Sequence, residues 1–515
     1  MRSHVMCLYL LGLSLGLFAP SNAQDAKVLV KTRSGWARGV IEGDIRAFRG
    51  IPFAAPPVGD LRWRPPRPLT PWTGIRDASA FGNRCPQIGS GTVIGDEDCL
   101  VLNVFTSARG EEAEEDEKED ELLPVMVFFH GGGHKQGSSQ RQPFDDPVLA
   151  THGVVVVTVE YRLGVLGYFS HPLLTLEGHG SSGNYGLMDQ IAALTWVRDN
   201  IGAFGGDPKR VTMFGQSSGA LDIESILISP AAQGLFARAA MESDGVLKGG
   251  TFTLAEGESL AAPLVTLVGC DQALDVIACL RSVPADVLVT TRNRANLLMN
   301  RVLEPRILPE DPFAVLARHG SPVPLLIGST REESTGLGDD ATTPLDAEGY
   351  AAEMHAEFDS LGPGVADQFL SLYPVTDYAS PMYALIAVHS DLLTCPVREV
   401  ARAALGREPV WRYLFTHRVE NDPYLNVQGA FHTEELFFVF GHPEQLAPPS
   451  PDEIVLANRL MSYWSRFAIS GDPNGAGEPF WPRYGRADRI LQLDEPTAQI
   501  TGYHNPQCDF IVGFQ

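Results

Sequence analysis

Residues 154–159 are five valines and one threonine in an unbroken run. A β-branched stretch of that length, with no polar alternation, reads as a strand buried on both faces. Its surroundings say what covers it. Residues 99–106 and 123–130 are two further strands. A helix with an amphipathic pattern spans about Tyr185–Asn200. Asp207-Pro208 stops the chain before a short β-prone run at Val211. That run ends in Gly215-Gln216-Ser217-Ser218-Gly219, and a helical segment follows. Strand, helix, strand, sharp turn and helix is the grammar of an α/β fold with a large, mostly parallel central sheet flanked by helices.

The rest of the chain fits around that sheet. Residues 28–48 hold short β-prone runs broken by Gly35, Gly39 and Gly43, and predict a small antiparallel meander. The proline-rich stretch 52–71 reads as irregular covering chain pinned by Trp63 and Trp72. Between the strands at 99–106 and 123–130 lies the run 111–121, in which nine of eleven residues are acidic. It cannot bury, so it is expected as a solvated loop at a hairpin tip. Later strands are expected at 323–327, 410–416 and 490–493, and helices at 382–405 and 453–469. Residues from about 245 to 405 are helix-rich and less regular, the pattern of insertions in which lids and pockets form. One catalytic domain over 24–515 is the simplest organisation.

Residues 1–23 have the form of a secretory signal peptide: Arg2, a short apolar stretch over 8–18, and Ser21-Asn22-Ala23 at the cleavage positions. Export is therefore expected, to a periplasm or the medium. No Asn-x-Ser/Thr sequon occurs, which leans towards a bacterial setting. No second run of membrane length and no lipid-anchor signal follow, so no membrane anchor is expected. The formal charge of −24 supplies no basic field for phosphates and argues against a nucleic-acid partner. Six cysteines remain after the leader: Cys85, Cys99, Cys270, Cys279, Cys395 and Cys508. An even number in an exported chain suggests three disulfides. Near-neighbour closure favours Cys85–Cys99 and Cys270–Cys279, which leaves Cys395–Cys508. No Cys/His spacing resembles a metal site, and no cofactor is called for.

The chemistry follows from Ser217. A Gly-x-Ser-x-Gly turn between strand and helix is the setting of a nucleophile elbow, with the serine exposed on strained backbone. A serine hydroxyl is a poor nucleophile until a base takes its proton and a carboxylate orients that base. The base candidate is His432, in GAFHTEEL at 429–436. The acid candidates are Glu332 and Glu333, in STREES at 329–334, just after an expected strand. His130-Gly131-Gly132-Gly133-His134 follows another strand. Its glycines expose backbone N–H groups that, with the N–H of Ser218, suit an oxyanion hole.

These parts, with longer signatures, resemble the type-B carboxylesterase family, which includes the cholinesterases. The matching stretches are FRGIPFAAPP at 48–57 with GDLRW at 59–63, EDCLVLN at 97–103, NYGLMDQ at 184–190, FGGDP at 204–208 and GDPN at 471–474. The resemblance implies the α/β-hydrolase fold, Ser217 as nucleophile, Glu333 rather than Glu332 as the acid, and His432 as the base. It implies oxyanion donors from Gly132, Gly133 and Ser218, and the three disulfides above. It also implies second-rank polar roles for Ser243 and Asp391, buried and hydrogen-bonded. His134 replaces a usual aromatic and either shapes the pocket or lies on the surface.

Several departures bear on substrate. Gln216 stands where the family usually has Glu, and Ser218 and Ser334 replace the usual Ala and Gly. The Cys85–Cys99 loop contains no Trp, whereas cholinesterases carry there an aromatic that holds quaternary ammonium. The sequence therefore reads as a serine carboxylic-ester hydrolase acting through an acyl-enzyme on neutral, small to medium esters. The alternatives are a non-catalytic binding or adhesion protein on the same fold, or hydrolysis of amides, carbamates, lactones or polyesters.

Overall fold

The computed structural model describes residues 28–108, 122–245 and 250–514. The expected leader (1–23) and the acidic run (111–121) lie outside the described residues.

An eleven-stranded sheet organises the chain. Its strands are β1 (Val40–Glu42), β2 (Ile45–Pro52), β3 (Val101–Ser107), β4 (Leu123–Phe129), β5 (Val155–Val159), β6 (Gly206–Gln216), β7 (Arg238–Glu242), β8 (Leu325–Thr330), β9 (Val410–Phe415), β10 (Arg489–Leu493) and β11 (Ala498–Thr501). Their spatial order is β11-β10-β9-β8-β7-β6-β4-β5-β3-β2-β1. The run from β10 to β5 is parallel, and the antiparallel pairings are confined to the two ends.

This order corrects one expectation. The strands flanking the acidic run are not hairpin neighbours, because β5 lies between β3 and β4. The valine run is apolar on both faces and takes an interior position, parallel to β4 and antiparallel to β3. The N-terminal meander is also divided. Leu29–Thr32 and Gly35–Arg38 pair in a separate small sheet with Ile75–Asp77, while β1 and β2 form the edge of the large one. Asp207-Pro208 does not delay the strand; β6 starts at Gly206 with a register shift before Val211.

Alternation along the central strands divides the core in two. Val125, Val127 and Phe129 point into one cluster, with Val155, Val157, Val159 and the helices Tyr185–Asn200 and Ser218–Ile228. Met126 and Phe128 point into the other, with Phe214, Trp411, Phe415 and the helices Glu434–Val439 and Pro451–Ser470. Tyr185–Asn200 is not amphipathic in place: it is buried around most of its circumference, and its Asp189 is paired with Arg162 at 2.7 Å. Trp63 does pin the covering chain, donating to Val165 O at 2.8 Å. Trp72 donates to Trp36 O at the same distance.

The 245–405 region supplies the helices Leu254–Leu267, Val276–Ser282, Ala285–Arg294, Pro312–His319, Ala347–Phe358, Val365–Leu372 and Pro381–Ala403, with β8 among them. A third apolar cluster, built on Tyr350, Met354, Phe369 and Ile386, joins its last helices to the C-terminal helix Asn505–Val512. Cys395–Cys508 fastens that junction, and Cys85–Cys99 and Cys270–Cys279 are the other two bridges. Cys395–Cys508 spans 113 residues and Cys270–Cys279 only nine. On chain entropy the longer loop is stabilised by about 2 kcal/mol more. Replacing Cys395 and Cys508 by serine should lower the denaturant midpoint clearly more than replacing Cys270 and Cys279, as followed by equilibrium unfolding.

Candidate active site

In the parallel run every strand ends on the same edge of the sheet, and the sequence-derived candidates sit at those ends. Ser217 follows β6 directly and adopts φ 56°, ψ −127°, a conformation that costs energy for a residue with a Cβ. Its N–H donates to Glu242 O at the end of β7, which holds the turn (2.8 Å). Neighbouring glycines leave room for it. A Cβ on Gly219 would lie 2.1 Å from Phe129 O, and one on Gly131 2.8 Å from Ser217 Cβ.

Glu333 lies in a short turn after β8 and has no exposure. Its Oε1 accepts from Ser243 Oγ at 2.6 Å and from Thr330 N at 2.9 Å. Its Oε2 accepts from His432 Nδ1 in a short hydrogen bond. That bond fixes the tautomer: the proton is on Nδ1 and Nε2 carries the lone pair. Nε2 lies 3.0 Å from Gln216 Nε2, which donates to it. Ser217 Oγ makes no hydrogen bond among the described residues. Gln216 therefore does more than remove a negative charge. It occupies the lone pair that a neighbouring serine needs, a contact invisible to a reading of residue types.

Glu332 and Glu333 diverge as adjacent residues must, and Glu332 does not face the imidazole. Its N–H donates to Ala430 O at 3.0 Å, and its Oε2 accepts from Ala430 N at 2.9 Å. Its Oε1 accepts from Arg331 and Arg418 at 2.9 and 3.0 Å. Glu332 thus clamps the loop that carries His432. Its position beside an expected acid was the only sequence signal of this role.

Behind Glu333 lie more buried carboxyls. Burial pushes Glu242 up to about 8, against a lowering hydrogen bond from Trp464 Nε1. Glu435 is raised well above the usual range by burial, then by the charges of Glu242 and Glu333. Of these carboxyls it is Glu333 whose oxygen meets the imidazole of His432. Ser243 is buried and bonded as expected, and so is Asp391, which accepts from Tyr373 OH at 2.7 Å and pairs with His504 at 2.6 Å. Asp391 lies on the helix Pro381–Ala403.

Gly132 and Gly133 have φ of 119° and 63°, and a Cβ on Gly132 would meet Gln136 O at 1.9 Å. Among the described residues neither glycine N–H donates to a protein acceptor. Ser218 is the first residue of its helix, so its N–H is unpaired by helix geometry. Three backbone donors therefore stand free around the elbow. His130 stacks on Tyr161 at 4.5 Å, and burial lowers its pKa, so it is a neutral prop for this loop. His134 is not on the surface. It is 2% exposed and bonded to Asp222 at 2.8 Å, with Gln190 and Tyr168 on the same carboxylate. Asp222 belongs to the helix after Ser217, so this network joins the glycine loop to the elbow. Among the described residues no group of His, Cys, Asp and Glu is arranged to hold a metal ion.

A profile described as "Carboxylesterase family" matches residues 26–511. Fumonisin B1 esterase of Sphingopyxis macrogoltabida is 35% identical over 92% of this chain and 87% of its own. Para-nitrobenzyl esterase of Bacillus subtilis is 35% identical over 93% of this chain and 97% of its own. Carboxylesterase 1C of Rattus norvegicus is 33% identical, covering 88% and 86%. Among solved structures, a PNB esterase superposes with a TM-score of 0.79 at 33% identity, covering 94% of this chain and 99% of that one. The fold of these neighbours agrees with the α/β-hydrolase expectation.

If Glu332 sets the His432 loop, Glu332→Ala should lower kcat on a chromogenic ester by about 10- to 100-fold with KM nearly unchanged. Glu332→Gln, whose amide oxygen still accepts from Ala430 N, should lose much less. Steady-state kinetics on the two variants checks this.

Proposed function

The chain belongs to the carboxylesterase family and is a carboxylic-ester hydrolase, and from that premise we propose that it works through an acyl-enzyme on Ser217. The observation that carries this is the directed chain Glu333–His432, whose second imidazole nitrogen reaches Gln216 in the elbow. In the proposed cycle the His432 Nε2 lone pair passes from the Gln216 amide to Ser217 Oγ–H, one residue along. Ser217 Oγ attacks the ester carbonyl as His432 takes the proton. The developing oxyanion is received by the N–H groups of Gly132, Gly133 and Ser218, which among the described residues have no protein acceptor to give up. His432 then protonates the departing alcohol. Water enters by the reverse route and releases the acid. Glu333 keeps the imidazole in its tautomer and stabilises it when charged.

No residue in this cycle requires a cofactor. Gln216 offers no carboxylate beside the nucleophile, which speaks against cationic esters as preferred substrates. We further propose that residues 24–515 act as one catalytic unit and that the enzyme is exported. Three disulfides support an oxidising compartment, where such bonds persist. Among the described residues no helix is long and apolar enough to cross a membrane.

Ser217→Ala should reduce kcat on a 4-nitrophenyl acyl ester by on the order of 10⁴-fold or more while the protein stays folded. The wild type should cleave the ester faster than the matching 4-nitroanilide. Full hydrolysis by Ser217→Ala would remove the mechanism, and faster anilide cleavage would make the enzyme an amidase.

A further inference from the structure

The helix Ala285–Arg294 carries Arg292 in its last turn, and Arg292 is only 5% exposed. Its Nε and Nη2 are buried and meet no hydrogen-bond acceptor, and no carboxylate pairs with it among the described residues. A guanidinium stays charged at any pH the fold survives. Burying one unpaired is among the most destabilising arrangements a chain can retain. The other buried arginines near the site are treated differently. Arg162 uses Nε and Nη2 on Asp189, both at 2.7 Å, and Arg62 uses the same two nitrogens on Glu97 at 2.7 and 2.6 Å. Nε and Nη2 form the parallel donor edge that fits the two oxygens of a carboxylate. In Arg292 it is this edge that is left without a partner.

Arg292 lines a cavity of about 170 Å³ together with Lys135, Asn293, Ile88 and Gly132. Among the described residues no aspartate or glutamate lines it, in a chain whose formal charge is −24. Burial and then the charge of Arg292 lower the pKa of Lys135, as two cations sharing one space require. Gly132 ties the cavity to the reaction. Its neighbour Gly131 packs directly on Ser217, so the cavity shares a wall with the oxyanion loop. Ile88 comes from the loop closed by Cys85–Cys99, which brings no aromatic or acidic group to the cavity that could hold a cation.

We propose that Arg292, assisted by Lys135, binds a carboxylate of the substrate, so that the enzyme prefers esters carrying a free carboxylate a few atoms from the scissile carbonyl. This rests on the hydrolase reading of Ser217, and it differs from the sequence expectation of neutral esters, against which the experiment below sets it. Arg292 acts here as a specificity residue, supplying the bidentate contact, and Lys135 adds a point charge at the cavity mouth.

The test compares kcat/KM for 4-nitrophenyl hydrogen glutarate, a monoanion, with 4-nitrophenyl pentanoate, a neutral ester of similar length. The full-length enzyme is used as wild type, Arg292→Gln and Arg292→Lys. The wild type should favour the glutarate at least 10-fold, and the preference should shrink in high salt. Arg292→Gln should lose at least 10-fold on the glutarate, mainly through KM, while pentanoate hydrolysis stays within about threefold. Arg292→Lys should fall between, because it keeps the charge and loses the parallel edge. The melting temperature of Arg292→Gln should equal or exceed that of wild type, since an unpaired buried charge has been removed. A purely structural arginine would instead lower it and depress both substrates alike, which overturns the proposal. So would a wild type that hydrolyses pentanoate as well as glutarate, or an Arg292→Gln variant that keeps the preference. Turnover of neither probe by wild type would remove the hydrolase reading itself and this proposal with it.

Discussion

A carboxyl group with no exposure needs hydrogen-bond donors from the protein, and Glu333 finds three, on three separate segments. Thr330 N comes from the strand before it, Ser243 Oγ from the turn after Arg238–Glu242, and His432 Nδ1 from a loop a hundred residues further on. None of these donors can move without leaving a buried charge partly unsatisfied, which is costly in a low-dielectric interior. The base is therefore fixed by the acid, and the acid by the sheet. Because the strands are parallel, their ends collect on one edge. Serine, acid and glycine loop follow their strands directly, and the base is brought back to the same edge after the short helix Pro423–Gln428.

The same edge holds two further ties that keep the constellation in register. Glu332 fastens the His432 loop through Ala430, and Asp222 fastens the glycine loop to the helix that follows Ser217 through His134. Each is a buried carboxylate between two elements that the core alone would leave free to slide. Gln216 completes the arrangement by holding the imidazole lone pair 3.0 Å from its amide. The strain at Ser217 is accommodated because Gly131 and Gly219 let the glycine loop and strand Leu123–Phe129 close upon it.

What could be read from the sequence was what local chemistry dictates. The turn at 215–219 needs glycines, the glycine triplet at 131–133 follows a strand, and the valine run at 154–159 demands an interior strand. Each is written in consecutive residues. The acidic segment was misplaced at a hairpin tip because strand order is a property of pairing, and periodicity does not encode it. The choice between Glu332 and Glu333 depended on resemblance, since neighbouring carboxylates look alike until one of them meets an imidazole. The choice between pocket and surface for His134 stayed open for the same reason, because its partner Asp222 is 88 residues away. Arg292 was invisible. An arginine in a helix is ordinary, and only the folded neighbourhood shows that its donor edge has no acceptor.

The central claim is that one serine, Ser217, is activated by the Glu333–His432 pair. The most direct measurement is covalent labelling with a fluorophosphonate, read by intact-protein mass and peptide mapping. The expected result is a single adduct per chain, on the peptide that contains Ser217, with labelling at least 100-fold slower in folded His432→Ala. An adduct on another residue, or a folded wild-type protein that stays unlabelled, would contradict it.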